Sequence, residues 1–255
     1  MKKFNKSAPV KSDAKGLILY GRHAVVSALQ NQQRKIEKLL CTPENAAEFS
    51  RKYPHITVVS ADKKEIDRLL PPEAVHQGLA LFCSPLAGLS IEELCERADN
   101  LEKGVVLILD QVTDPQNIGA IIRSCAAFGA LALIVQDKNS PQESGAMAKA
   151  AAGTMEFMPV VRVTNLVRAV EILKQHGFWT VGMDGYAKTT IDKMDKSGKW
   201  AVIMGSEGAG MRRLVEESCD MTVRLPISEK VESINVSTAA AITLYELSLN
   251  NSARK

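Results

Sequence analysis

Short apolar runs alternate with helical patterns over the first third of the chain. The runs cover residues 17–20, 36–40, 56–59 and 78–82, and apolar positions between them recur at helical spacing. Apolar runs bounded by turn residues predict strands, and the helical spacing predicts helices over 23–29, 43–51 and from 60 to before the prolines at 71 and 72. We therefore predict a small α/β unit over residues 16–86.

A second α/β unit follows a polar connecting segment. Residues 90–100 are predicted to form a helix in which Ser90 and Glu93 make a capping box, and we assign residues 87–102 to a linker. Val105–Leu109 is typical of a strand buried on both faces, and further apolar runs lie at 131–135, 157–161, 178–183, 201–204 and 221–225. Helical segments between these runs, and a last one over 238–249, predict a mostly parallel sheet with helices on both sides over residues 103–255.

Composition adds limits to this picture. The 255 residues are 45% hydrophobic, enough for two modest cores, and no window approaches the roughly 20 apolar residues needed to cross a bilayer. The first residues lack the apolar stretch of a signal peptide, so we expect a soluble cytoplasmic protein with no membrane partner. The five cysteines stand singly, which predicts buried small hydrophobes and neither disulfides nor a metal site.

Charge is distributed unevenly along the chain. Residues 1–84 hold 14 Lys+Arg against 8 Asp+Glu, and the remaining residues hold 18 against 21. Five of the lysines lie in residues 1–15, which lack apolar periodicity and are predicted to be a mobile tail. The basic excess favours an N-terminal unit that contacts phosphate, although a lysine-rich face is more often simply a solvated surface.

Three loops that follow predicted strands contain candidate chemistry. The first, residues 110–119, leads into a helix with Asn117 and Arg123; the second, residues 205–211, is rich in glycine; the third, residues 225–237, presents Ser233 and Asn235 before the last helix. Open α/β sheets bind ligands at such loops. Each loop also has a purely structural interpretation, since asparagine and serine cap helices and an arginine is often just solvated.

The glycine loop excludes two common nucleotide sites. Its pattern G-x-x-G-x-G differs from the dinucleotide fingerprint and lies late in the domain, and no Gly-Lys-Ser/Thr of a P-loop follows. Glycines do let main chain approach a ligand closely, and the main-chain groups of the third loop could satisfy an adenine edge.

Together, the three loops resemble motifs 1, 2 and 3 of the SpoU family of RNA ribose methyltransferases, the SPOUT type, over about residues 103–250. The likeness rests on Asn117 and Arg123, on Gly205-Ser206-Glu207-Gly208, and on Ser233-x-Asn235-Val236-Ser237. It implies methyl transfer from S-adenosylmethionine to an RNA ribose 2'-hydroxyl, a C-terminal trefoil knot, and a homodimer whose interface lies beside the cofactor. It also implies a catalytic group and a set of cofactor contacts, namely Asn117, Arg123, Glu207, Ser233 and Asn235 for catalysis, and Gly205, Leu225, Ile227 and Ile234 for the cofactor.

The N-terminal unit is similar to the L30e/L7Ae-like substrate-binding domain of two-domain members of this family. The likeness rests on Tyr20-Gly21-x-His23-Ala24-Val25 and His76-Gln77-Gly78, although histidines at turns are more often structural than RNA contacts. This arrangement implies a guanosine of 23S rRNA as the substrate. The alternatives are a tRNA 2'-O-methyltransferase and a non-catalytic RNA-binding or assembly protein with the same fold.

The third motif departs from the family pattern at one position. Where the family reads Ile-Pro-Met-x-Gly, this chain has Leu225-Pro226-Ile227-Ser228-Glu229. Glycine tolerates positive φ and glutamate rarely does, so Glu229 calls the family's loop conformation into question here.

The chemistry needs a group that assists a poor nucleophile, because the ribose hydroxyl must lose its proton as it attacks the methyl group. Neutralising an arginine near pH 7 costs on the order of 8 kcal/mol, and Glu207, if close, would hold the guanidinium charged. We therefore expect Arg123 to stay cationic and to stabilise the developing alkoxide, while water or phosphate accepts the proton. The family-based alternative is that arginine acts as the general base.

Overall fold

Two β-sheets with helices against them form residues 16–248, the part of the chain that the computed structural model describes. The predicted tail of residues 1–15 lies outside the described residues. The first sheet and its helices contain β1 (Leu17–Tyr20), α1 (Arg22–Gln30), β2 (Ile36–Cys41), α2 (Pro43–Lys52), β3 (Val58–Ser60), α3 (Lys63–Asp67) and β4 (Leu79–Cys83). The strand order is β1-β4-β2-β3, in which β4 is antiparallel to β1 and β2, and β2 is parallel to β3.

The second sheet is wholly parallel, with the strand order β10-β8-β9-β5-β6-β7. Its elements, after α4 (Ile91–Ala98), are β5 (Gly104–Leu109), α5 (Pro115–Phe128), β6 (Ala132–Gln136), α6 (Gly145–Ala151), β7 (Val160–Val163), α7 (Leu166–Gln175), β8 (Phe178–Met183), β9 (Lys199–Met204), α8 (Arg213–Glu217), β10 (Met221–Val223) and α9 (Val236–Ser248). The α/β prediction is confirmed, whereas the trefoil knot stays a prediction. Because the six strands are parallel, the loops after them lie at one edge of the sheet.

Two predicted strands begin later than the apolar pattern indicated. The run at 157–161 becomes a strand only from Val160, because a 3-10 helix over Thr154–Glu156 precedes it and leaves the Phe157 side chain 69% exposed. The run at 56–59 becomes a strand only from Val58, because the main-chain nitrogen of Ile56 donates to Tyr53 in a turn. Hydrophobicity alone does not separate a strand residue from an apolar residue in a turn.

The helix within the predicted linker belongs to the core of the second unit. Its capping box is as predicted, with Ser90 and Glu93 bonded to each other's main-chain nitrogens. The buried side chains of this helix pack against β5, β6 and β7 in one cluster, and they are Ile91, Leu94, Cys95 and Ala98. This segment therefore covers one face of the second sheet as well as connecting the two units.

The cysteines are structural residues. All five are free, four of them are buried and Cys219 is half-buried. Burial raises the pKa of the Cys125 thiol to about 12, so the reactive thiolate is strongly disfavoured there.

A buried arginine joins the two units. The guanidinium of Arg34, from the first unit, is bonded over 2.6 Å to both Glu143 and Glu156, and the three side chains are 0%, 14% and 6% exposed. Arg34 also donates to the carbonyl oxygen of Ser84, and Glu143 accepts from the main-chain nitrogen of Leu86. Burial alone would lower the pKa of Arg34, but the hydrogen bonds and charges of the two glutamates raise it above its ordinary value.

The two units also approach closely where α6 begins. A Cβ on Gly145 would lie 2.5 Å from the carbonyl oxygen of Ile18 and from the ring of Tyr20. Any other residue at this position would therefore push α6 away from β1. Side chains of both units, such as Val25 and Met147, share one hydrophobic cluster.

We expect Arg34→Ala to lower the midpoint of urea unfolding, because Glu143 and Glu156 would stay buried without a positive partner. Breaking a buried ion pair on one side costs about 3–5 kcal/mol. The matched control is Arg22→Ala, since Arg22 and Glu48 form a pair whose side chains are 48% and 43% exposed; this variant should unfold close to the wild-type midpoint. Equal shifts in the two variants would contradict the role given to Arg34.

Candidate functional site

Three polar side chains from three different loops meet at the carboxyl edge of the second sheet. The Nδ2 group of Asn235 donates to Oδ1 of Asn117 over 3.1 Å and to Oε1 of Glu207 over 2.7 Å. Asn117 lies in the first turn of α5, Glu207 follows β9, and Asn235 immediately precedes α9. We call these residues the polar trio, and they are three of the five residues that the resemblance to the SpoU family assigned to catalysis.

The start of α9 holds the trio in place. Oε1 of Glu207 also accepts from the main-chain nitrogen of Val236 over 3.0 Å, while Oδ1 of Asn235 accepts from the main-chain nitrogen and the hydroxyl of Ser237 over 2.9 and 2.6 Å. A carboxylate is favourable at a helix N-terminus. The structural interpretation of Asn235 as a helix cap is therefore correct, and the amide nitrogen of the same side chain joins the loops.

The glycine loop after β9 folds back on itself. Ser206 and Gly210 exchange two main-chain hydrogen bonds of 3.1 and 3.0 Å. A Cβ on Gly205 would lie only 2.1 Å from the carbonyl carbon of Gly210, so a larger residue would force the two sides of the turn apart. The glycine at this position is thus required by the turn that carries Glu207 to Asn235.

A buried carboxylate that the sequence analysis missed anchors the other end of the glycine loop. Asp110, directly after β5, is 0% exposed and accepts from the main-chain nitrogen and the Nε of Arg212, each over 2.8 Å. The Nη2 of Arg212 donates to Oε1 of Gln136 at the end of β6. Because Asp110 and Arg212 are 102 residues apart, no local pattern pairs them. The single signal in the sequence is a charged residue directly after an apolar strand.

The other two predicted catalytic residues lie outside the trio. Arg123 is exposed on α5, about 9 Å along the helix axis and about 120° around it from Asn117. Within residues 16–248 no hydrogen bond or ion pair joins Arg123 to Glu207, which contacts Asn235 and Val236 instead. Glu207 is therefore not placed to hold the guanidinium of Arg123 charged, a role that required the two side chains to be close. Ser233 is exposed in the loop before α9.

The apolar residues predicted to contact the cofactor lie around the third loop. Leu225 and Ile234 are half-buried, and Ile227 is 37% exposed. Glu229 is exposed and is not among the non-glycine residues with positive φ. The glutamate therefore adopts an ordinary backbone conformation, and the loop does not require the family's glycine at this position.

The folded N-terminal unit is less basic than the whole N-terminal third. Residues 16–84 hold 9 Lys+Arg against 7 Asp+Glu, so most of the basic excess belongs to residues 1–15. His76 is 3% exposed, with Nε2 lying 3.0 Å from Asp67 and Nδ1 accepting from the main-chain nitrogen of Gly78. The structural interpretation of this histidine is therefore correct.

Two kinds of site are lacking in the described part of the chain. No helix of residues 16–248 is long and apolar enough to cross a membrane. In the same residues no group of three or more His, Cys, Asp or Glu side chains is placed to hold a metal ion. The cytoplasmic location inferred from the sequence stays a prediction.

Both units have counterparts in known proteins. The SpoU rRNA Methylase family matches residues 104–245, and the RNA 2'-O ribose methyltransferase substrate binding family matches residues 18–88. The chain is 37% identical to the 23S rRNA (guanosine-2'-O-)-methyltransferase RlmB of Pseudomonas syringae, over 93% of this chain and 97% of the relative. It is 36% identical to the protein of the same name from Coxiella burnetii, over 90% of this chain and 94% of the relative.

Solved structures show the same fold. The SpoU methyltransferase AviRb from Streptomyces viridochromogenes, in complex with the cofactor AdoMet, matches with a TM-score of 0.79 and 21% identity over 94% of this chain and 92% of that chain. The region matched by the SpoU family contains the polar trio, the glycine loop and Asp110 with its partners. The chain therefore belongs to the SpoU rRNA methylase family, and a substrate-binding domain of RNA 2'-O ribose methyltransferases precedes its methylase domain.

Proposed function

We propose that this protein transfers a methyl group from S-adenosylmethionine to the ribose 2'-hydroxyl of a guanosine in 23S rRNA. Relatives that match nine-tenths of the chain carry this activity in their names. The observation that carries the proposal is the meeting of Asn117, Glu207 and Asn235 through a single amide nitrogen. Part of this arrangement caps α9, but the hydrogen bond from Asn235 to Asn117 is not needed for that cap.

The third loop suits the adenosine part of the cofactor. Leu225, Ile227 and Ile234 offer partly exposed apolar surface to a flat ring. The main-chain nitrogens of residues 225, 227 and 228 have no hydrogen-bond acceptor within residues 16–248, so they can serve the polar edge of that ring. We assign these contacts, with the main chain at Gly205, to S-adenosylmethionine, which supplies an electrophilic methyl group on a sulfonium centre when bound.

The polar trio has defined atoms left over for the substrate. Oε1 of Glu207 is used twice inside the protein, whereas Oε2 has no hydrogen-bond partner in the described residues, and neither has Nδ2 of Asn117. An amide nitrogen can donate to a ribose oxygen, and a carboxylate oxygen can accept from a sugar hydroxyl. These two atoms would orient the ribose, and Ser233 in the neighbouring loop would add a hydroxyl to the set.

Arg123 is assigned the role of a fixed positive charge. Its exposed side chain is free to meet RNA, and an arginine binds a phosphate or a developing alkoxide through several donors at once. A proton acceptor at this position would require a neutral guanidine, which costs about 8 kcal/mol near pH 7. The proton released by the ribose would therefore pass to water or phosphate.

The protein is proposed to act as a homodimer. Ile242 and Tyr245 lie one helical turn apart on α9 and are 41% and 44% exposed. The ring of Tyr245 packs edge-on against the ring of Phe128 on α5, with 5.9 Å between the ring centroids. Exposed apolar side chains grouped on one face are typical of a subunit interface. This face belongs to the two helices whose N-terminal ends carry Asn117 and Asn235.

The full chain is expected to transfer tritiated methyl groups from S-adenosylmethionine to unmodified 23S rRNA. A 2'-O-methyl group removes the internal nucleophile of alkaline cleavage, so the product should resist alkaline hydrolysis at a bond next to a guanosine. Transfer RNA and 16S rRNA serve as control substrates. Label in transfer RNA alone would contradict the proposed substrate, and label in no RNA would contradict the proposed activity.

In the same assay, Asn235→Ala should lower kcat by about 10²–10³-fold, as does the loss of one positioned hydrogen-bond donor from an active site. The matched control is Asn165→Ala. Asn165 caps α7 by accepting from the main-chain nitrogen of Arg168, so its loss also removes a helix cap, at about 1 kcal/mol of stability, but away from the trio. Similar losses of activity in both variants would attribute the effect to capping rather than to the trio.

Sedimentation equilibrium should give the mass of a dimer for the wild type and that of a monomer for Ile242→Glu. The added charges would face each other across the interface without partners, and burying unpaired charge costs several kcal/mol. Leu214→Glu on α8 is the control, because Leu214 is 60% exposed and lies outside the proposed interface. A monomeric wild type, or dissociation of both variants, would contradict this interface.

The role of Arg123 can be tested by chemical rescue. Arg123→Ala should fold and bind S-adenosylhomocysteine but lose activity, and small guanidinium ions should restore activity better than amines whatever their basicity. A rescue that follows the concentration of the neutral base, with a Brønsted slope, would instead identify arginine as the general base.

A further inference from the structure

A groove lies at the carboxyl edge of the second sheet, beside the polar trio. It has a volume of about 630 Å³ and is lined by Gln111, Thr113, Lys138, Asn139, Ser140, Pro141 and Ser206. Thr113 is separated from α5, which carries Asn117, by one residue, and Ser206 is next to Glu207. The groove is therefore built from the same two loops that present two members of the trio, together with the loop after β6.

The walls of the groove are held by a chain of hydrogen bonds. It starts at the buried Asp110, passes through Arg212 to Oε1 of Gln136, and continues to Nδ2 of Asn139, which donates to the same oxygen over 3.0 Å. This chain links the ends of β5 and β6 to the glycine loop. The groove is thus preorganised by the fold, and its shape does not depend on exposed side chains alone.

The described residues that line the groove include one charged side chain, that of Lys138. Lys138 is exposed and forms no ion pair within residues 16–248, and no carboxylate lies among the lining residues. The neighbouring Asp137 is directed to Arg162, with Oδ1 lying 3.8 Å from Nη1. A lysine with hydroxyls and amides around it is a donor-rich environment that suits an anion.

Two further features distinguish the residues of this groove. Ser140 is 7% exposed, and its Oγ has no hydrogen-bond partner in the described residues. Leaving a buried hydroxyl without a partner costs about 1–3 kcal/mol, and this short side chain needs only one bond rotation to change its partner. Gln111 has a φ of 59°, which lies in the left-handed region that only a few per cent of non-glycine residues adopt.

We propose that this groove binds a backbone phosphate of the RNA, next to the ribose that is methylated. The proposal rests on the proposed function, because it places part of the same RNA substrate. A phosphate is favoured over a base because the lining has one lysine and several donors but no aromatic side chain on which a base could stack. Bound there, the phosphate holds the neighbouring ribose against Asn117 and Glu207, while Lys138 and Ser140 act as positioning residues.

The test is the salt dependence of RNA binding by the full chain. Affinity for an unmodified 23S rRNA fragment is measured between 50 and 200 mM salt for the wild type, Lys138→Gln, Lys138→Arg and Lys103→Gln. Losing one phosphate contact should lower the slope of log K against log salt by about 0.7–0.9 and weaken binding roughly tenfold. Lys138→Gln should show both effects and Lys138→Arg neither. Lys103→Gln removes the same charge at the opposite end of β5 and should keep the wild-type slope.

Ser140→Ala separates binding from folding. If the hydroxyl serves a ligand, its removal should weaken RNA binding a few-fold without lowering Tm, because an unpartnered buried hydroxyl gives no stability to lose. A lower Tm with unchanged RNA affinity would overturn the assignment of Ser140. Unchanged affinity for S-adenosylhomocysteine in every variant would show that the cofactor loop is intact.

The outcomes distinguish this proposal from the proposed function. Methyl transfer by the wild type with an unchanged slope in Lys138→Gln would overturn the phosphate site and leave the activity standing. A reduced slope without methyl transfer to any RNA would support the site and contradict the activity. The last measurement is calorimetric titration with inorganic phosphate. If Lys138→Gln abolishes phosphate binding but leaves the salt dependence of RNA binding unchanged, the groove is a site for free anions and the proposal is overturned.

Discussion

A single carboxylate oxygen, Oε1 of Glu207, holds the candidate site together. It accepts one hydrogen bond from the side chain of Asn235 and one from the main chain of Val236, and so ties the glycine loop to the start of α9. Asn235 then extends the connection to Asn117, which is 118 residues away in sequence. Such an arrangement is possible because the parallel sheet brings the loops after β5 and β9 to one edge, since these strands are neighbours.

Local patterns in the sequence predict part of this site. Strand runs, glycine spacing and cap residues are local, so these patterns are enough to find the three loops. The members of the trio were assigned to catalysis only through the resemblance to the SpoU family. The partners that stabilise the site are not local. Asp110 meets Arg212 across 102 residues, and Arg34 meets Glu143 and Glu156 across 109 and 122 residues. No periodicity encodes such pairs, because they depend on how whole units pack.

The charge of the first third of the sequence was also a poor guide to the charge of the folded first unit. The excess of lysine and arginine in the first third suggested a basic domain, but residues 16–84 are nearly balanced, and Arg34 is buried between the two units. A domain with nearly equal numbers of positive and negative side chains recognises RNA through shape and hydrogen bonds more than through a positive electrostatic potential. Arg34 and the close approach at Gly145 hold that domain against the methylase unit. RNA bound by one unit would then reach the other at a defined distance.

The groups that the protein leaves without partners complete this argument. Several polar atoms at the sheet edge are bonded within the protein: Oε1 of Glu207 and Nδ2 of Asn235 to each other, and Asp110 to Arg212. Other atoms at this edge have no partner in the described residues, among them Nδ2 of Asn117, Oε2 of Glu207 and Oγ of Ser140. Oγ of Ser140 is buried, and a buried hydroxyl without a partner costs about 1–3 kcal/mol. Asn117 is half-buried and Glu207 is exposed, so their open atoms can reach groups outside the chain. One ribose and its phosphate carry both the hydroxyls and the anionic oxygens that these atoms require.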